Sequence, residues 1–179
     1  MKHQYQTVST PHQGPAFFSI EETRTTHPEV RGERVHHVVR HPGGSAVVAL
    51  DGQDVLFVQQ YRPAVDDVLL ELPAGRSEPG ETPVETAARE LREETGYTAG
   101  RITFLFDFFN APCFCDGVTH LFLATHLSRP EGDCEPEMRV RRLPLSDLPA
   151  WLSDGRITDA KTVIGLLTLL ARVEGAGRD

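Results

Sequence analysis

Three glutamates within five residues, Glu90, Glu93 and Glu94, carry the strongest chemical signal in this 179-residue chain. They fall in the second half of a segment that reads as one helix with defined ends. Thr82-Pro83-Val84-Glu85 has the form of a capping box with proline at the first helical position, and Gly96 supplies a left-handed stop. At 100° per residue, Val84, Ala87, Ala88, Leu91 and Thr95 share the side expected to face the core. Glu90, Glu93 and Glu94 take the neighbouring sector, and Arg89 and Arg92 the other flank. A solvated face usually interleaves opposite charges at i and i+4, and exposed anions near a helix C-terminus cost roughly 0.3–1 kcal/mol each. Hard oxygen donors gathered on one face suit Mg2+ or Mn2+. The competing reading is an acidic helix end that only faces water.

The preceding loop favours the metal. Residues 68–72 read as a buried strand, followed by Pro73-Ala74-Gly75, where glycine permits a sharp turn and close backbone approach to a ligand. A strand, a glycine loop and an acidic helix together form a site for a metal-bound phosphate group. A phosphate group beside three glutamates needs cations. At ~6 Å and an effective dielectric of ~20, each like-charge pair costs about 2.8 kcal/mol.

At this point residues 75–97 resemble the Nudix signature, G-x5-E-x7-R-E-U-x-E-E-x-G-U, with U a bulky apolar residue. Gly75, Glu81, Arg89, Glu90, Leu91, Glu93, Glu94 and Gly96 fill its defined positions, and Tyr97 is a less usual final residue. Beyond the signature the chain is similar to bacterial ADP-ribose pyrophosphatases of that superfamily. The similarity lies in the lead-in Glu71-Leu72-Pro73-Ala74-Gly75, in Pro112 sixteen residues past Gly96, and in the run GRITDAKT at 155–162. Sugar-nucleotide pyrophosphatases such as those for GDP-mannose share much of this layout.

The resemblance implies a metal-dependent enzyme that cleaves the pyrophosphate bond of a nucleoside diphosphate sugar, ADP-ribose to AMP and ribose 5-phosphate. It implies two or more Mg2+ (or Mn2+) ions on Glu90, Glu94 and the carbonyl of Ala74, with Glu93 in support and Arg89 fixing the loop. Arg62, Gly75, Pro112 and Phe114 are the residues expected at the substrate. The base is expected on the loop before a late strand, which offers Glu135 and Glu137, and Glu137 is favoured as the nearer to that strand. A homodimer built on N-terminal strands is implied as well. One departure concerns the family's P-G-F-S-D-E, where this chain has Pro112-Cys113-Phe114-Cys115-Asp116-Gly117 and so lacks the glycine and the final acid. A non-catalytic ADP-ribose sensor on the same fold is the alternative class. Such a module would have lost a signature glutamate or gained a DNA-binding domain, and neither is seen.

Composition sets wider bounds. With 26 acidic against 18 basic residues the net charge is −8, which argues against a dedicated nucleic-acid binder. No apolar run reaches membrane-spanning length, and the polar start lacks the apolar segment of a signal peptide, so the cytoplasm is expected. Cys113, Cys115 and Cys134 form no paired framework. As a zinc set they are weak, and small loop side chains are the better reading.

The elements that must position these groups make an α+β fold, a mixed β-sheet sandwiched between α-helices. A small β extension over residues 1–44, expected to dimerise, precedes the Nudix domain at 45–179. Residues 1–15 read as irregular, 16–20 and 33–40 as strands, and 21–32 as turn-rich. His36 and His37, adjacent in a strand, point to opposite faces, which speaks against a metal pair. Strands are expected at 45–50, 55–61, 68–72, 102–109, 118–127 and 138–143, with Phe104, Phe106 and Phe108 as one core stripe. Short and long helices follow at 146–153 and after the Thr158-Asp159 cap.

Overall fold

Residues 46–49 are fully buried on both faces, which makes their strand the middle of a layer covered on each side. The computed structural model describes residues 17–129 and 139–176, together with the backbone of 6–12. Its strands are β1 Gln6–His12, β2 Ser19–His27, β3 Val30–Arg40, β4 Gly44–Asp51, β5 Asp54–Arg62, β6 Asp67–Glu71, β7 Ala74–Arg76, β8 Thr98–Phe109, β9 Val118–Ser128 and β10 Arg139–Pro144. Its helices are α1 Pro83–Thr95, α2 Leu148–Ser153 and α3 Ala160–Ala176.

The larger sheet runs β10-β5-β4-β9-β8, with β6 paired to β5 and β7 to β4. β4 lies parallel to β9 and antiparallel to β5 and β7, so the sheet is mixed. Strand alternation sorts the core into two clusters. Ala46, Val48, Val55 and Phe57 meet Leu148, Leu166 and Leu169 of α2 and α3, while Val47, Ala49 and Leu56 meet Ala87 and Leu91 of α1. The sheet therefore stands between helices, an α+β architecture. Among the described residues no helix is long and apolar enough to cross a membrane.

The chain divides into two compact units, residues 1–43 with 109–118, and residues 44–108 with 119–179. In the first, β1, β2 and β3 form an antiparallel sheet. Two expectations change here. The stretch 21–32 is not turn-rich but the body of the β2–β3 hairpin, and a strand at 6–12 interrupts the supposed irregular start. The threonines and charges of IEETRTTH form a strand without an apolar stripe, β2 being mostly half-buried and β3 mostly exposed. His36 bonds Thr25 Oγ1 at 3.1 Å, a surface contact across the hairpin.

Within the second unit the aromatic stripe is only partly core. Phe106 and Phe108 pack on the α3 side together with Leu105, whereas Phe104 is half exposed and meets Phe122 edge-on at 5.6 Å.

Candidate active site

Helix α1 forms where the capping chemistry places it. The Thr82 amide donates to Glu85 Oε2 at 2.8 Å, and Gly96 adopts φ 73° while its amide donates to Arg92 O at 2.8 Å. Its buried face differs from the apolar reading. Val84 is 44% exposed and Ala88 is exposed, while Thr86, Ala87, Leu91, Glu94 and Thr95 are buried. Glu94, 5% exposed, lies inside that arc instead of facing water as its charge suggests. The reason is a waiting donor: the Ala74 amide gives Glu94 Oε2 a hydrogen bond of 2.9 Å.

The glycine loop is equally specific. A Cβ on Gly75 would stand 1.9 Å from Glu90 Oε1, so the Glu90 carboxylate rests directly on the backbone at that residue. Gly75 and Ala74 belong to β7, which pairs with Ser45 and Ala46 of β4. Ser45 Oγ in turn donates to Pro83 O at the start of α1, at 2.7 Å. Strand, loop and helix are thereby tied at both ends of the helix.

Arg89 closes the other side. Its Nε and Nη2 donate to the two oxygens of Glu81 at 2.7 and 3.0 Å, and Nη1 donates to Glu90 at 2.7 Å and Glu93 at 3.1 Å. Nη2 also reaches the carbonyl of Arg76 at 2.9 Å. The charges expected to be segregated are interleaved after all, since Arg89 and Glu93 pair at i and i+4. Hydrogen bonds to Glu81 raise the Arg89 pKa further above its ordinary value and hold the Glu81 carboxyl down to about 2.

A second cluster, not evident in the sequence, surrounds Glu71. Arg62 grips Glu71 with two bonds of 2.7 Å, and Lys161 Nζ pairs with the same carboxylate. Lys161 also donates to Asp159 at 3.0 Å, whose Oδ2 caps α3 by accepting the Thr162 amide and hydroxyl at 3.0 and 2.6 Å. Burial pushes the Glu71 carboxyl up, and Arg62 and Lys161 more than offset it, so it stays below the usual range. The signal that could have found Glu71 is a lone acid ending the apolar run Val68-Leu69-Leu70, since a buried carboxylate needs partners. Arg62, expected at the substrate, commits two of its nitrogens, Nε and Nη2, to Glu71.

The remaining expected site residues belong to other parts of the chain. Pro112 and Phe114 belong to the first unit, where Phe114 O accepts the Val39 amide at 2.7 Å and Asp116 accepts the His41 amide at 2.9 Å. Gly117 lies against His41, whose Cβ and Nδ1 would stand 3.2 Å from a Cβ there. Cys113 and Cys115 are free thiols. Glu135 and Glu137 lie outside the described residues.

Among the described residues no three His, Cys, Asp or Glu side chains are gathered to hold a metal. Two of the expected carboxylates meet the glycine loop, Glu90 against Gly75 and Glu94 on the Ala74 amide, and the third expected donor is a backbone carbonyl. An all-oxygen set on a loop without room for a Cβ fits a hard divalent cation.

A family model of the NUDIX domain matches residues 39–163. The chain belongs to the Nudix family. An ADP-ribose pyrophosphatase of Bacillus subtilis is 38% identical over 134 residues, 72% of this chain and 72% of the relative. Another of that name, from Mycobacterium tuberculosis, is 35% identical over 182 residues, 97% of this chain and 87% of its own. A crystal structure described as an ADP compounds hydrolase superposes with a TM-score of 0.84 at 24% identity, covering 98% of this chain and 97% of that one, a likeness of fold. As a Nudix protein the chain has its signature in one piece, with Gly75 on β7 and Glu81 through Gly96 in the loop and helix that Arg89 holds together.

Proposed function

We propose that this Nudix enzyme hydrolyses the pyrophosphate bond of a nucleoside diphosphate sugar, ADP-ribose foremost, releasing AMP and ribose 5-phosphate. The observation that carries the reading is the junction of Glu90 on Gly75 and Glu94 on Ala74, in a chain whose relatives include ADP-ribose pyrophosphatases. Glu90, Glu94 and the Ala74 carbonyl would hold Mg2+ or Mn2+, two or more ions per site. Such ions neutralise phosphate charge, polarise phosphorus and acidify water.

The residues of the chain do the rest. Arg89 keeps Glu90 and Glu93 oriented through the bonds described above. Glu137, just before β10, is the residue assigned to take the proton of the attacking water, with Glu135 as the alternative. Water oxygen bonds to phosphorus as the bridging P–O bond breaks, and the departing phosphate leaves as an anion. Gly75, with no side chain, lets the diphosphate approach the backbone, and Arg62, Pro112 and Phe114 complete the proposed substrate set. The protein is proposed to work in the cytoplasm as a homodimer.

Product analysis with Mg2+ across ADP-ribose, GDP-mannose, NADH and diadenosine polyphosphates tests the reading. AMP and ribose 5-phosphate from ADP-ribose, at a kcat/KM above the others, is the expected result. Preference for GDP-mannose would move the substrate within the class. Binding of ADP-ribose without turnover would point to the sensor instead.

A further inference from the structure

Four consecutive residues, Glu71 to Ala74, lead into the glycine loop, and each has a polar group tied down by another element. The Glu71 carboxylate, 1% exposed, is held by Arg62 of β5 and Lys161 of α3. The Leu72 amide donates to Thr162 Oγ1 of α3 at 2.8 Å, with both residues fully buried. Pro73 O accepts the Val47 amide of β4 at 2.9 Å, and the Ala74 amide donates to Glu94 of α1.

Helix α3 supplies two of these four anchors and presses on a third point. A Cβ on Gly165, one turn beyond Lys161, would stand 2.5 Å from Leu72 Cδ1, so the helix backbone lies directly against that side chain. Thr162 acts in both directions, because its hydroxyl donates to Asp159 Oδ2 and accepts from Leu72. A hydroxyl with both functions used at fixed distances has one orientation, and it transmits the position of the α3 cap to the strand.

We infer that the start of α3 is a positioning device for the active site, in which Thr162, with Asp159 and Lys161, sets the backbone of residues 71–74 and so the distance between Ala74 and Glu94. None of the three need touch the substrate. A ligand set is only as well placed as the partners behind it, and here the backbone of residue 74 is itself expected to be a donor. The inference rests on the reading of Glu94 and Ala74 as active-site groups.

The test compares Thr162→Val, nearly isosteric but without the hydroxyl, with Thr162→Ser, which keeps it. Amide hydrogen exchange at Leu72 and Ala74 is followed by NMR on the full chain without metal. Mn2+ affinity is measured by electron paramagnetic resonance with Mn2+ alone, and kcat and KM are measured on ADP-ribose. Thr162→Val is expected to speed exchange at both amides about tenfold or more and to weaken Mn2+ binding by a similar factor. It should also lower kcat while KM moves less than about threefold, and Thr162→Ser should keep wild-type values. Wild-type exchange at Ala74 and wild-type Mn2+ affinity in Thr162→Val would overturn the inference, reducing the bond to one that only stabilises the fold. Should Thr162→Val fold poorly, Lys161→Met against Lys161→Arg carries the same readouts. A wild-type protein inactive on every diphosphate would sink the proposed function alone, since exchange at Ala74 decides this inference without turnover.

Discussion

Arg89 shows what a single side chain does in this site. Its guanidinium joins the loop residue Glu81 to the helix residues Glu90 and Glu93 and to the carbonyl of Arg76, with the side chain 17% exposed. An isolated surface pair contributes about 0–1 kcal/mol, but a bidentate, partly sheltered fork is among the stronger charged contacts. The sequence shows Arg89 and Glu81 as motif letters. It does not show that Arg89 spans both, since helical projection gives only where a side chain starts and not where a long one ends. The pairing has a pH consequence. Glu81 titrates near 2 in the folded chain, against about 4.3 when unfolded, so folding lowers its pKa. Its stabilisation is therefore complete above the unfolded value and lost as pH falls from about 4.3 towards about 2. Melting temperatures followed across that window should fall more steeply for the wild type than for Glu81→Gln. The other low carboxyls, Glu71, Glu85 and Asp116, are common to both proteins, so the difference isolates Glu81. Superimposable curves would show that the Arg89–Glu81 fork contributes nothing to the fold.

At the scale of elements, most strands and all three helices were readable from apolar runs, caps and turn residues, Asp51-Gly52 being an example with Gly52 at φ 64°. The short β7 was not, because its three residues carry no apolar pattern and form a strand only through pairing with β4. The rotation of α1 about its axis also differs from its apolar pattern. Hydrophobicity ranks Val84 and Ala88 inside and Glu94 outside, yet the Ala74 amide makes Glu94 the better residue to bury. Two glycines where β4, β7 and α1 meet separate function from folding. In Gly75→Ala the new methyl collides with the carboxylate end of Glu90, which can swing away, so the melting temperature should change little while turnover drops by about two orders of magnitude. In Gly44→Ala it collides with the backbone of Gly75, 2.2 Å from its carbonyl oxygen, which forces β4 and β7 apart. That variant should lose stability, by about 1–3 kcal/mol on chemical denaturation. Equal losses of stability in the two variants would mean that Glu90 is not free to move, and an active Gly75→Ala would remove Glu90 from the site.

At the scale of the whole molecule, the two units differ in how they could be stable. The larger has core clusters on both faces of its sheet, whereas in the smaller none of the described hydrophobic side chains is buried. The sequence suggested this much, because residues 16–40 are too few to build a core alone. It did not suggest that residues 109–118 join them, since the pairing of Val39 with Cys115 is non-local and leaves no local pattern. A three-stranded sheet with no buried hydrophobic side chain among its described residues needs a covering surface, and β3 adds a mostly exposed eleven-residue edge carrying Val30 and Val35 half exposed. A second copy of the chain is the partner we propose. Light scattering of the full chain should then give the mass of two copies, and the melting temperature should rise with protein concentration, as mass action requires of a dimer. Removing residues 1–43 should yield a monomer. Because the loop 109–118 loses its strand partners in that truncation, a folded but inactive remainder is expected. A full-length chain that is monomeric at every concentration would overturn the dimer, and a stable, active, monomeric truncation would leave the N-terminal strands without the role assigned to them.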